Sequence, residues 1–364
     1  MSSLLLVTGA RAAERIGGRQ QLAWLHRDAL TTLLGDRLFI HELAPAGAMS
    51  HWATLRGNLD GLSPATISGI VARVREQRAT QVFLDGSNLG LLAAALKRAL
   101  PAVEVLTFCH NVEARFFLGA LAARPSVKAA GVLVANYRAE RLAVRHSDRL
   151  IALSERDGAL LRRLYGRGAT DILPMALKDM APAHPPSVSG GGYLLFVGGA
   201  FYANLRGMQW YARHVAVRVS VPAVVIGRGM ELIRAELEAA PGVRVLGSVD
   251  DLGPCYAAAT AVIAPIFDGS GMKTKVAEAL MFGKRVIGTP EAFSGYADDV
   301  VAANHCCTDA DGFVQAIEVL AAAPPPAFDP ALRALYERDH SPDALKRRLA
   351  AILKIEAPDV VSGG

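Results

Sequence analysis

The stretch Gly269-Ser-Gly-Met-Lys-Thr-Lys-Val-Ala-Glu-Ala-Leu-Met-Phe-Gly-Lys-Arg-Val-Ile-Gly-Thr289 decides how this chain is read. It follows an apolar run, Ala261 to Phe267, and opens as a glycine-rich turn. A helix is predicted over 272–283, closing at Gly283, and a second apolar run, Arg285 to Gly288, comes next. The order is strand, loop, helix, strand. A loop feeding a helix N-terminus is a ready anion site, because unpaired N–H groups point outward and the helix dipole favours negative charge. The small residues Gly269, Ser270 and Gly271 would let backbone amides approach a phosphate closely.

The predicted helix carries two stripes. Val276, Ala279, Leu280 and Gly283 form an apolar face suited to packing on a sheet. Gly271, Lys275, Glu278 and Phe282 fall on another line, which sets a Lys and a Glu along one side. At a helical rise of about 1.5 Å per residue, Glu278 lies on the order of 10 Å from the helix start. That reach suits a ribose hydroxyl when a diphosphate occupies the N-terminus. A surface ion pair at i, i+3 spacing explains the same two residues equally well.

A chain of 364 residues points to two domains. With 52% hydrophobic residues it can bury sizeable cores, and no run of about 18 uncharged apolar residues marks a spanning helix. The start, Met-Ser-Ser-Leu-Leu-Leu-Val-Thr-Gly, lacks the basic region and cleavage site of a signal peptide and reads as a first strand. Cys109, Cys255, Cys306 and Cys307 have no metal-ligand spacing, which fits reduced thiols in a cytoplasmic protein. The nine histidines form no ligand cluster, so no metal is expected. The net charge of +5 is dispersed through amphipathic segments without interleaved aromatics, which argues against nucleic acid. A membrane-surface role and ordinary solvated helix faces account for it equally.

Alternating short apolar strands and longer helical patterns give an α/β class with parallel sheets. The expected organisation is an N-terminal Rossmann-like domain over 1–180, a Pro-, Ser- and Gly-rich linker over 181–192, and a second Rossmann-like domain over 193–340. The remainder, 341–364, is a C-terminal helix and tail that could cross back to the first domain. Strands are predicted at Leu4–Val7, Gln81–Leu84, Val103–Thr107 and Leu150–Leu153. Helices are predicted at Gly18–Leu34, Leu89–Leu100 and Glu155–Tyr165, the last capped by Ser154. The second half restarts with strand Tyr193–Val197, helix Met208–Arg218, strands Ala223–Ile226 and Val243–Leu246, and a short helix Leu252–Ala258.

With these residues placed, the chain resembles the GT-B glycosyltransferases, specifically the retaining, family-4-like enzymes. The likeness rests on Phe196-Val197-Gly198-Gly199 followed by Asn204, Gly207 and Trp210, and on Val224-Val225-Ile226-Gly227-Arg228-Gly229. It continues through Val243 to Leu252 and the Gly-Ser-Gly-x-Lys-x-Lys-x-x-Glu-Ala element of Gly269 to Ala279. In the first half it rests on His110-Asn111-Val112-Glu113, Ala152 to Asp157, Ile172-Leu173-Pro174 and Ile16-Gly17-Gly18-Arg19. Many members carry a Glu where this chain has Ser270, with Asp268 nearby.

The resemblance implies two Rossmann-like domains facing across a cleft, and sugar transfer from a UDP- or GDP-linked nucleotide sugar to a glycan or lipid-linked acceptor. It implies a cytoplasmic location, at the inner membrane surface where the acceptor is lipid-linked. It gives His110, Lys275 and Glu278 the catalytic roles, with His110 beside the sugar, Lys275 on the diphosphate and Glu278 on the ribose. Donor contacts fall to Gly17, Gly18, Asn204, Arg206, Arg228, Val249, Leu252, Asp268, Gly269, Ser270, Gly271, Met272 and Lys273. Asn111 and Glu113 lie on the acceptor side. No metal or other cofactor is required. A nucleotide-sugar epimerase and a non-catalytic nucleotide-binding protein of the same fold remain open. An NAD-dependent oxidoreductase does not fit, since residues 8–18 read Thr-Gly-Ala-Arg-Ala-Ala-Glu-Arg-Ile-Gly-Gly.

Overall fold

Runs of apolar residues too short for helices, each followed by an amphipathic stretch, force strands to be buried on both faces by helices. The computed structural model, which describes residues 3–9, 18–44, 58–182 and 192–355, has this pattern in two units. One comprises Met1–Ala176 with Pro342–Gly364, and the other Leu177–Ser341.

The first unit runs β1 (Leu4–Gly9), α1 (Gly18–Leu34), β2 (Leu38–Leu43), α2 (Pro64–Glu76), β3 (Gln81–Leu84), α3 (Gly90–Ala99) and β4 (Glu104–Cys109). It continues through α4 (Glu113–Ala123), α5 (Val127–His146), β5 (Arg149–Ala152), α6 (Glu155–Tyr165) and β6 (Asp171–Ile172). Its six strands lie in the order β2-β1-β3-β4-β5-β6, all parallel. Leu4, Leu5, Leu6 and Val7 are each fully buried, as a strand covered on both faces requires. Leu5, Val82 and Val105 pack with Ile70, Val74, Leu92 and Leu96 of α2 and α3. Each such side chain contributes about 1.5–3 kcal/mol. Ser154 caps α6 by accepting from Asp157 N at 3.2 Å.

The second unit runs β7 (Tyr193–Val197), α7 (Tyr202–His214), β8 (Ala223–Ile226), α8 (Arg234–Glu238), β9 (Val243–Gly247), α9 (Gly253–Ala258) and β10 (Ala259–Ala264). Then follow α10 (Thr274–Met281), β11 (Val286–Gly288), α11 (Asp298–Ala302), β12 (His305–Cys306), α12 (Ala310–Ala322) and α13 (Pro330–Asp339). The strand order is β12-β11-β10-β7-β8-β9, again all parallel. The last helix, α14 (Pro342–Leu353), packs on α1 in the first unit.

Each sheet has one point where the chain reverses its direction of growth, between β1 and β3 in the first unit and between β7 and β10 in the second. Ligands of open α/β sheets bind beyond the strand carboxyl ends at such points.

Two predicted helices have boundaries shifted by two residues or more. The helix expected from Met208 begins at Tyr202 and takes in Asn204 and Gly207. A Cβ on Gly207 would meet Pro265 O at 1.9 Å, so this glycine serves close helix-to-loop packing. The helix expected over 272–283 spans Thr274–Met281, and Gly283 sits beyond its end at φ +59°.

Candidate active site

In the second unit, the loops leaving β7 and β10 meet at the switch point. The loop after β10 turns through Gly269 (φ +135°) and Gly271 (φ +66°), backbone that side chains other than glycine rarely adopt. It delivers Lys275 into the first turn of α10, while α7 delivers Asn204. Lys275 Nζ donates to Asn204 Oδ1 at 3.1 Å, and Asn204 Nδ2 donates to Gly199 O at 2.8 Å. The ammonium also lies 5.0 Å from the centre of the Phe196 ring. Burial, opposed by the charge of Glu278, pushes the Lys275 amine down to about 8.

Glu278 is partly exposed, and its Oε2 accepts from the Tyr256 hydroxyl at 2.8 Å. Tyr256 is stacked on Phe282, with ring centres 4.5 Å apart. Burial raises the Glu278 carboxyl, against the Tyr256 hydrogen bond and Lys275, which both favour its charged form. The Tyr296 hydroxyl accepts from Ala277 N at 3.0 Å and donates to Lys273 O at 2.7 Å, fixing the first turn of α10.

The other donor-side candidates are distributed less tightly. Lys273 Nζ pairs with Glu291 at 2.9 Å and reaches Gly271 O at 2.8 Å. Arg206 and Asp268 form an exposed pair at 3.1 Å. Arg228 is exposed, and its carbonyl accepts from Ala200 N at 2.8 Å. Val249 and Leu252 are half-buried before α9, Ser270 is half-buried, and Met272 is buried. Tyr256, Tyr296, Phe196 and Glu291 were not picked out from sequence as site residues, since aromatic residues in apolar runs read as core.

In the first unit, a cavity of about 290 Å³ opens at the switch point, with Thr8, Arg19, Asp85, Asn88 and His110 among its lining. Asp85 follows β3 directly, and its Oδ1 lies 2.9 Å from His110 Nε2 and 3.1 Å from His26 Nδ1. Its Oδ2 accepts from Thr8 Oγ1 at 2.9 Å. Burial alone would raise the Asp85 carboxyl, but the two imidazoles together hold it well below the usual range. Burial pushes His110 down, against the pull of Asp85. Arg19 Nη2 reaches Asp60 Oδ2 and Asn88 Oδ1, each at 3.0 Å. Gly18 opens α1, whereas Gly17 lies outside the described residues.

Asn111 is half-buried and Glu113 is buried at the start of α4. Burial, with nearby Glu140 and Asp60 and against Arg19, pushes Glu113 up to about 7. Glu140 on α5 caps that helix in place of a side chain at its N-cap, accepting from Glu113 N at 2.9 Å and Ala114 N at 3.1 Å. It also accepts from Ser87 Oγ at 3.2 Å and the Tyr165 hydroxyl at 2.7 Å. Sequence reading passed over Asp85 and His26. The signals were present: Asp85 ends a buried strand, and His26 is the polar member of the buried set Leu22, Ala29, Leu30 and Leu33.

Residues 191–323 match the family described as glycosyl transferases group 1. Among curated proteins, none matches the chain by sequence. The structure is similar to sucrose-phosphate synthase from Thermosynechococcus elongatus, at a TM-score of 0.69 and 14% identity over 97% of this chain and 98% of that one. It is similar to Anabaena Alr3699/HepE in complex with UDP, at 0.65 and 14% over 97% and 99% of the two chains. The lipopolysaccharide outer core galactosyltransferase WaaB gives 0.64 and 13% over 96% and 99%. Similarity over nearly the whole length establishes the GT-B fold, and with the match over residues 191–323 it supports a glycosyltransferase.

Proposed function

We propose that the protein is a retaining glycosyltransferase that moves a sugar from a UDP- or GDP-linked donor to a glycan or lipid-linked saccharide. The observation that carries this reading is the buried Lys275 ammonium in the first turn of α10, which forms an ion pair with no carboxylate among the described residues. A buried cation in ion-pair contact with no carboxylate is costly unless an anion arrives to meet it. A departing diphosphate is such an anion. Its growing charge would be met by Lys275 and by the amides around Ser270 and Gly271, donors fixed before the reaction begins and needing no metal. Glu278, steadied by Tyr256, would hold the ribose. His110 would hydrogen-bond a hydroxyl of the transferred sugar.

The family match over residues 191–323 supports the donor class, as does the likeness to Alr3699/HepE, also solved with UDP-glucose. WaaB supports a lipid-linked glycan as acceptor class. A peripheral position on an anionic inner membrane face fits the α4–α5 hairpin. There Arg115, Arg124, Lys128, Arg138, Arg141 and Arg145 are exposed, whereas both acidic residues of the hairpin, Glu113 and Glu140, are buried. Leu118, Val127 and Val134 are exposed on the same hairpin.

The test is a thermal-shift screen with UDP, GDP, ADP and their sugars. One nucleoside diphosphate is expected to stabilise the protein, and Glu278→Ala to abolish the shift. No stabilisation by any nucleotide would refute the donor-site assignment. Sedimentation with phosphatidylglycerol vesicles tests the membrane position, and binding that survives high salt unchanged would contradict it.

A further inference from the structure

His26 sits on α1, Asp85 follows β3 and His110 follows β4, yet the three side chains converge on one oxygen. Relative exposure is 0% for His26 and 5% for both Asp85 and His110. An ionised carboxylate oxygen carries no proton, so each imidazole facing it must donate. His110 is then protonated at Nε2, which lies 2.9 Å from Oδ1, and His26 at Nδ1, which lies 3.1 Å from it. The opposite tautomer at either ring would set a nitrogen lone pair against a carboxylate lone pair.

The consequence falls on the remaining nitrogens. His110 Nδ1 and His26 Nε2 are buried and have no hydrogen-bond partner among the described residues. Buried polar atoms are rarely left unpaired, and each orphan calls for an explanation. For His26 the ring environment gives one, since it packs edge-on to Phe108 at 4.4 Å and Phe83 at 5.8 Å. His110 instead lines the cavity. Among the described residues no group of three or more His, Cys, Asp or Glu is arranged to hold a metal ion.

We infer that Asp85 is a positioning residue: it locks His110 as the Nε2–H tautomer and so keeps Nδ1 as an acceptor for a hydroxyl-bearing ligand of the first unit's cavity. His26 and Thr8 occupy the remaining near positions on the carboxylate, which keeps it ionised and aimed. The functional half of this inference rests on the sugar-side role proposed for His110. The tautomer half does not.

The test is a long-range proton–nitrogen NMR correlation on the full chain with labelled histidine at neutral pH. His110 is expected as Nε2–H and His26 as Nδ1–H. In Asp85→Leu, close in size but with no oxygen to accept from either imidazole, His110 is expected to become a tautomer mixture, with the backbone amide spectrum reporting an intact fold. His26→Phe matches the aromatic surroundings and leaves Asp85 in place, so His110 should remain Nε2–H. A wild-type His110 protonated at Nδ1, or one unchanged in folded Asp85→Leu, would overturn the inference. Turnover of the stabilising nucleotide sugar separates the two readings. A kcat loss of about 10-fold or more in Asp85→Leu with little change in KM supports both. A changed tautomer with undiminished kcat upholds the positioning role and refutes the sugar-side role of His110.

Discussion

Lys275 reaches Asn204, not Glu278. The three-residue spacing allowed an ion pair on the surface of α10, but Lys275 Nζ donates to Asn204 Oδ1 at 3.1 Å, and the Glu278 carboxylate is held by Tyr256 at 2.8 Å. The two charges are thereby kept separate at a switch point, each held by a neutral partner. Separation leaves both available to a ligand that carries an anion at one end and a hydroxyl at the other.

Holding Lys275 this way should cost stability, with a defined pH signature. Its amine titrates at about 8 in the fold, below the unfolded value of about 10.4. Between these values the unfolded chain binds more protons, so stability rises with pH across the window, and below it the full cost applies. That cost is roughly 3 kcal/mol, a net figure that already includes contacts favouring the ammonium. Lys275→Met is expected to stabilise the unliganded protein by about 1–2 kcal/mol at neutral pH while removing the nucleotide-induced thermal shift. Lys284, pushed down to about 8 by burial, keeps its own share of the alkaline rise. Urea unfolding checks this, and a less stable Lys275→Met would contradict it.

Tyr256 is expected to matter to binding more than to folding. Its hydroxyl donates to Glu278 and its ring stacks on Phe282, so Tyr256→Phe keeps the stacking and frees the carboxylate. The stability loss should be about 1 kcal/mol, the ordinary worth of one hydrogen bond. Nucleotide affinity should fall by about 10-fold as Glu278 loses its fixed orientation. Calorimetric titration with the stabilising nucleotide decides it, and unchanged affinity would remove Tyr256 from the site.

How far the sequence reached follows from the forces involved. Local patterns located β3, β7, β8, α1 and α6 to the residue, because each is an apolar run or periodic stretch with a clear stop. The α4–α5 hairpin escaped. Its apolar content is spread around half-exposed helices, and its N-terminus is capped by Glu140, 27 residues from Glu113, instead of by a neighbour. The same limit governed the site. Lys275, Glu278 and Asn204 stand in motifs, whereas His26 and Asp85 become one network with His110 only when α1, β3 and β4 are brought together.

Glu140 illustrates how such a distant cap should behave. Removing it leaves Glu113 N, Ala114 N and Ser87 Oγ, all buried, and the half-buried Tyr165 hydroxyl without their acceptor. At about 1–3 kcal/mol per stranded group, partly relieved by water, Glu140→Ala should cost on the order of 3–5 kcal/mol. Tyr165→Phe removes only one of these bonds and should cost about 1 kcal/mol. Thermal unfolding of the two variants checks the ratio. Equal losses would mean that the helix cap contributes little.

Glu113 offers the opposite pH signature from Lys275. Burial raises its carboxyl to about 7, above the unfolded value of about 4.3, so the fold holds a proton that the unfolded chain releases between those values. Stability contributed by the protonated form is complete below the lower value and is lost as pH rises through about 7. Glu113→Gln keeps the shape and removes the charge. It should therefore leave stability nearly unchanged below about pH 4 and raise it progressively between about 4.3 and about 7, by about 3–4 kcal/mol where the carboxylate is fully ionised. If Glu113 also meets an acceptor hydroxyl, the wild type alone should show turnover rising with pH through about 7. Unfolding midpoints for both proteins across mild acid to mild alkali decide the first part. A Glu113→Gln curve parallel to the wild type would show that the carboxyl is ionised throughout.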